Sequence, residues 1–432
     1  MTAVAGILNK QAVAIAADSA VTISGENGRK IFNTANKIFT LSKRHPVGVA
    51  IYNSASFMSI PWETIIKMYR RRLKDDFFDT VEEYQKDFID YLREQNFFTS
   101  EDYQKIELKN LFMQLFSAIN DSIFRSQNSS IPQADLSNPE DVKSLVQEKI
   151  DDLLNNIQNA SIPVCDEFEN YDFEDFKEYS GQVFSEAYEK MYLQYEVILD
   201  DDYVGKLLKF CYEYCRLQNF SIAYTGLVFT GFGEKEIYPS LIPIQIANVF
   251  DNRLRYYIEK DSIAKITNEN ASCIMPFAQK DVIDTILSGV DPTLDSIYIE
   301  QFRRFTEKYT EELANRISHL DSKFAEQLKN ADLKDVVQEY QKEMQNIKRV
   351  KYIYPLMNAV ASLSKEDLAE MAESLIYLTY LKRRITFAEE SVGGPVDVAL
   401  ISKGDGFIWI KRKHYFDAEL NKPFFDNYFK NS

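Results

Sequence analysis

The chain has 432 residues, 45% of them apolar, and carries a formal net charge of −16 at neutral pH. That length suits two or three domains, or one core with large insertions, and the apolar share is ample for a packed interior. The acidic balance excludes nucleic acid and anionic membranes as natural partners, because phosphate contacts need clustered Lys and Arg.

The one basic run, Arg70-Arg71-Arg72, reads as a solvated helix face. Cys165, Cys211, Cys215 and Cys273 lack the paired spacing of a zinc site and read as reduced structural thiols of a cytoplasmic protein. No signal peptide is visible, and no apolar run approaches the ~20 residues of a membrane span. His45, His319 and His414 are scattered, and neither a P-loop nor a nucleophile elbow occurs, so no cofactor or metal is expected.

Four short apolar runs open the chain: Thr2–Gly6, Ala12–Asp18, Asn36–Leu41 and Val47–Asn53. Asn9-Lys10-Gln11 separates the first two, and Gly25-Glu26-Asn27-Gly28 marks a hairpin before the third. Runs of this length, rich in Val, Ile and Phe and bounded by Gly and Asn, predict antiparallel strands. Their few polar residues are Thr2, Asp18 and Lys37. A threonine exposed by removal of Met1 can use its own α-amine as general base. An aspartate and a lysine at the ends of neighbouring strands can then meet beside it.

This constellation resembles the proteasome β-subunit and HslV family of N-terminal-nucleophile hydrolases, in a divergent bacterial-type form. Sixteen residues separate Thr2 from Asp18, as in that family, and Lys37 opens Lys37-Ile-Phe-Thr-Leu41, similar to the family's lysine strand. The resemblance implies an α+β fold, a four-layer αββα sandwich with large helical insertions. It implies Thr2 as nucleophile, Lys37 as the cation beside it and Asp18 as the partner of Lys37. It also implies a homo-oligomer with no ATPase motif of its own, so that any unfoldase ATPase is a separate protein.

Beyond Asn53 the period becomes helical: Trp62, Ile65, Ile66, Tyr69 and Leu73 recur at helix spacing, with Ser59 and Pro61 as start signals. The resemblance places the oxyanion-binding backbone N–H at this strand-to-helix turn, near Asn53, where Tyr52-Asn53-Ser54-Ala55 replaces a Gly-rich turn. Residues 74–220 are expected to be a helical insertion, with apolar stripes over Leu108–Ile123, Val142–Ile157 and Val183–Gln218. Within it, 166–178 is acidic and aromatic and reads as a solvated loop or a surface for a basic partner. Asp200-Asp201-Asp202 reads as a helix start. Strand patterns return over Ile222–Thr230, Ile237–Pro239, Ile242–Phe250 and Leu254–Ile258.

Ala271–Gln279 precedes a short helix, and the resemblance sets Cys273 or Ser272 at the family's supporting serine. Residues 293–349 are a charged helical extension with apolar stripes. Lys365–Thr379 is an amphipathic helix, with Ser362 or Ser364 as its cap. The closing segment, Glu389-Glu-Ser391-Val-Gly393-Gly394 followed by a strand, resembles the family's final motif and implies supporting roles for Glu389 and Ser391. The resemblance covers 2–73, 221–292 and 350–416, a discontinuous core.

The expected chemistry is hydrolysis of an amide or peptide bond through an acyl-threonine. Two other functions stay open. One is an amidase acting on a small amide, and the other is a non-catalytic scaffold of a larger assembly that keeps Met1.

Overall fold

An apolar run the length of one strand, uninterrupted by polar residues, suits a strand covered on both faces. In the computed structural model Ala3–Asn9 and Val13–Ala17 are such strands, with every residue buried. The Asn9 carboxamide oxygen turns the chain between them by accepting from the N–H groups of Gln11 and Ala12. The structure describes residues 3–25, 28–94, 97, 100–127, 138–222, 224–386, 393–414, 416–417 and 419–423, with backbone alone for 22–31 and 124–127. The chain is mixed α/β, and its sheets are antiparallel. The described residues form two compact units, one from 1–38, 236–240 and 264–432, the other from 39–235 and 241–263.

The first unit holds a five-stranded sheet in the order Ser272–Ala278, Ala3–Asn9, Val13–Ala17, Asp397–Ser402, Gly406–Lys411. Its register sets Ala3 opposite Ala278, Val4 opposite Ala17, and Ala17 opposite Asp397. One end of the sheet therefore gathers four strand ends. On one face Ala5, Ile7, Ala14, Ala16, Ile274, Val398 and Leu400 share a core with Leu368, Ala372, Leu375 and Ile376 of the helix Lys365–Ile385. Alanines in the sheet let that helix approach closely, and each buried Leu or Ile contributes roughly 1.5–3 kcal/mol. Ser364, rather than Ser362, caps the helix, in a capping box with Asp367.

Three further helices of this unit, Pro292–Ile317, Ser322–Lys329 and Lys334–Lys348, bury only Ala314 and Ala325 among their described side chains. Phe302 stacks on Tyr340 between the first and third of them, but other apolar positions lie open to solvent, with Phe305 68% and Phe324 54% exposed.

In the second unit a sheet runs in the order Arg253–Ile258, Ser240–Phe250, Thr225–Gly231, Val47–Asn53, Ile38–Thr40. The stretch Ile237–Pro239, expected as a strand, instead bends, and the strand begins at Ser240. Trp62, Ile65, Ile66, Tyr69 and Leu73 form the buried face of the helix Trp62–Leu73, as their spacing predicts. They pack with Val49, Ile51, Leu227 and Phe229 of the sheet. The Trp62 indole N–H is satisfied by the Thr225 hydroxyl at 2.9 Å. The helices Glu101–Gln127, Pro139–Asn159, Phe173–Met191 and Asp201–Arg216 enclose a second, aromatic core that includes Phe250 of the sheet. The stripe expected over Val183–Gln218 is two helices, because the chain turns at Glu196, whose φ is 59°. Asp200 takes the N-cap position of the second, but its carboxylate pairs with Lys143 at 2.9 Å instead of bonding the helix N–H groups.

Tyr52 is buried, and its hydroxyl donates to Glu259 Oε1 at 2.6 Å. Its ring lies over Gly226, where a Cβ would sit 1.9 Å from Tyr52 Cζ. Gly226→Ala is therefore expected to displace the ring and destabilise the second unit by about 1–3 kcal/mol, the usual cost of overpacking. A denaturant midpoint unchanged from the parent would contradict this.

Candidate active site

The gathered strand ends of the first unit carry the polar residues that interrupt its apolar runs. Asp18 directly follows the strand Val13–Ala17, and Lys37 directly precedes Ile38–Thr40. Both are buried, at 1% and 3% exposure. Lys37 Nζ donates to Asp18 Oδ1 at 2.6 Å and to the Ala20 carbonyl at 2.6 Å. Its third ammonium donor meets no acceptor among the described residues. Asp18 Oδ1 also accepts from the Ala3 N–H at 2.9 Å. Asp18 Oδ2 accepts from the N–H groups of Ala20 and Gly393, each at 3.1 Å. One carboxylate thus ties the start of the first strand, the turn after the second and the Gly393-Gly394 turn to the lysine.

Burying two charges costs several kcal/mol each unless geometry and further hydrogen bonds compensate. Here the four donors on Asp18 do so. Burial still pulls the Lys37 amine below its ordinary value, while the Asp18 carboxylate beside it pulls the other way. Gly394 closes this corner with φ at 77°, and a Cβ there would come within 2.8 Å of Asn33 Cβ.

Thr2 lies outside the described residues, as do Glu389 and Ser391. Ala3, the residue joined covalently to Thr2, is the one held on Asp18. The structure does not bring Cys273 to this corner. It pairs with Leu8, while Ala278, five residues on, pairs with Ala3; at about 3.3 Å per residue Cys273 is about 17 Å away along the strand. Burial pushes its thiol up to about 11, the opposite of what a reactive cysteine requires. Ser272 bonds the Met357 carbonyl instead. The strand end that adjoins Ala3 is Ala278, whose φ is 65°.

Asn53 belongs to the second unit. It ends the strand Val47–Asn53 with φ at 71°, is exposed, and donates from its carboxamide to the Tyr224 carbonyl at 3.0 Å.

Two residues at the corner escaped the sequence reading. Asp397 opens its strand opposite Ala17 and is 3% exposed. Lys413 pairs with it through both its backbone N–H and its ammonium. An aspartate inside Val396-Asp397-Val398-Ala399 is the same signal that marked Asp18. Nothing in Arg412-Lys413-His414 singles out Lys413. Among the described residues no group of His, Cys, Asp and Glu is placed to hold a metal ion, and no helix is long and apolar enough to cross a membrane.

No protein-family model matches the chain, and no curated protein matches it. Among solved structures it is similar to Anbu (ancestral beta-subunit) from Yersinia bercovieri, with 10% identity and a TM-score of 0.29 over 100% of this chain and 95% of that one. It is also similar to a Gly-1 mutant of Anbu from Hyphomicrobium sp. strain MC1, with 8% identity and a TM-score of 0.27 over 100% of this chain and 96% of that one. Scores this low carry no argument about fold or activity. The expected membership of the proteasome β-subunit and HslV family is overturned, since no family model matches the chain. The motif rests on a handful of positions, Thr2, Asp18, Lys37 and the Gly393-Gly394 turn, and these are too few to define a family across 432 residues.

Proposed function

We propose that the chain is an N-terminal threonine hydrolase that cleaves an amide or peptide bond through an acyl-threonine ester. One observation carries this reading: a buried Asp18–Lys37 pair whose carboxylate also holds the N–H of Ala3, the residue bonded to Thr2. After Met1 is removed, the Thr2 hydroxyl attacks the substrate carbonyl, and the Thr2 amine takes the hydroxyl proton. An α-amine titrates near ~8, close to working pH, which suits a general base. Lys37 as ammonium stabilises the negative charge that develops on the Thr2 hydroxyl oxygen as its proton leaves, and Asp18 holds Lys37 in place. The amine returns its proton to the leaving nitrogen, and water hydrolyses the ester. The expected αββα layering belongs to this proposal; each unit supplies an antiparallel sheet.

Turnover of a fluorogenic peptide amide tests it. Thr2→Ser is expected to keep part of the rate, since hydroxyl and amine remain. Thr2→Ala is expected to lose all of it. Undiminished turnover in Thr2→Ala would overturn the proposal.

The partner we assign to the open face of the helices in 292–348 is a second copy of the chain. Eleven acidic and nine basic residues make that segment nearly neutral in a chain of net charge −16, so copies meet there with least repulsion. Three helices with two buried residues also need a further surface to bury. Native mass spectrometry at micromolar concentration is expected to show more than one subunit, and Phe305→Glu to weaken the assembly. A 50.2 kDa monomer at all concentrations would rule this out.

A further inference from the structure

We propose that the Asp397–Lys413 ion pair, buried at Asp397 and partly buried at Lys413, sets the charge that Lys37 presents to the N-terminal residue. The inference rests on the threonine-hydrolase proposal for its catalytic meaning and on geometry for the pair itself. Asp397 opens its strand directly opposite Ala17, the residue before Asp18. The segment leading into Asp397 wraps the same corner: Gly393 N–H donates to Asp18, Ser19 N–H donates to the Gly393 carbonyl, and the Ser19 hydroxyl donates to the Pro395 carbonyl. Lys413 clamps the Asp397 carboxylate with its backbone N–H at 2.8 Å on one oxygen and its ammonium on the other. The two side chains are 12% and 4% exposed, so water screens the pair poorly.

Among the described residues three charged groups act on Lys37: Asp18 from the end of the second strand, Asp397 from the start of its own, and Lys413 from the segment after Gly406–Lys411. Asp18 and Asp397 favour the ammonium, while Lys413 and burial oppose it. The pair is thus a balanced device. Its anion stabilises the charge on Lys37, and its cation keeps that charge from being bound too tightly. Asp397 and Lys413 are positioning residues, since they act through Lys37 and not on substrate.

Full-length single variants distinguish this from a merely structural pair. The readout is the pH titration of the Lys37 Nζ NMR signal, assigned by its loss in Lys37→Met. Lys413→Met is expected to move that titration up and Asp397→Asn to move it down, each by about one unit, because one removes a like charge and the other an opposite charge. The alkaline limb of the pH profile for N-terminal labelling by a peptide epoxyketone is expected to shift in the same two directions. The double variant Asp397→Asn, Lys413→Gln, which leaves no lone buried charge, is expected to fall between them; it serves if a single variant does not fold. Lys413→Arg is expected to restore the parent titration. Shifts of the same sign in both single variants, or none, would overturn the inference. A parent that is never labelled, with opposite Lys37 shifts still present, would sink the hydrolase proposal and leave the coupling intact.

Discussion

Lys37→Met is expected to cut peptide-amide turnover by about a hundred- to ten-thousand-fold, the usual range for losing a positioned acid–base group. The methionine keeps an apolar stem of similar length in a site where Lys37 is 3% exposed, so the loss falls on charge and not on packing. Asp18 would keep three backbone donors, from Ala3, Ala20 and Gly393, which spares it from being an isolated buried anion. The stability cost is therefore expected at the low end of the ~3–5 kcal/mol range for breaking a buried pair. The pH dependence carries a sign. Burial sets the folded Lys37 value below its ordinary 10.5, so the folded state releases this proton first. Stability from this group then rises as pH increases through the folded value towards 10.5, and is lost on going back down. Lys37→Met should lack that alkaline gain in denaturant titrations run at several pH values. A variant with parental turnover would remove Lys37 from the site.

Asp18→Ala is expected to be the most destabilising single change in the first unit. It strands the N–H groups of Ala3, Ala20 and Gly393 and leaves Lys37 as a buried cation bound only to the Ala20 carbonyl. Each unsatisfied buried donor costs about 1–3 kcal/mol, and these costs fall on neighbours that share one partner, so they do not simply add. A loss of at least about 4 kcal/mol, with faster hydrogen exchange at Ala3 and Gly393, is the expected result. Asp18→Asn should help little, because its amide would face N–H groups that need an acceptor. A denaturant midpoint near that of the parent in Asp18→Ala would show that the carboxylate does not hold the corner together.

Much of this corner was legible because polar residues stand out in apolar runs. Asp18 and Lys37 flank the ends of buried strands, and an ionisable residue in such a place needs a partner. Asp397 carried the same signal but was absorbed into a motif that drew attention to Glu389 and Ser391. Lys413 was not legible, because it follows an exposed strand among other cations. Cys273 was misplaced for a different reason. Counting from a turn motif without its glycines misses the register, which sets Ala278 and not Cys273 opposite Ala3. Between residues 74 and 220, Leu108–Ile123 and Val142–Ile157 fall within helices, whereas the break near Glu196 went unseen because no Gly or Pro marks it. The open stripe of Pro292–Ile317 shows the limit of periodicity, which identifies an apolar face but not what covers it.

The most direct test of the central claim is the intact mass of the purified full-length chain before and after incubation with a peptide epoxyketone, followed by sequencing of its first residue. The hydrolase proposal predicts that Thr2 is the first residue, that one inhibitor mass is added, and that the adduct maps to Thr2 and is lost in Lys37→Met. Met1 retained on turnover-competent protein, or an adduct on any other residue, would contradict it. While Met1 stays attached the Thr2 nitrogen is a delocalised amide that cannot take the hydroxyl proton.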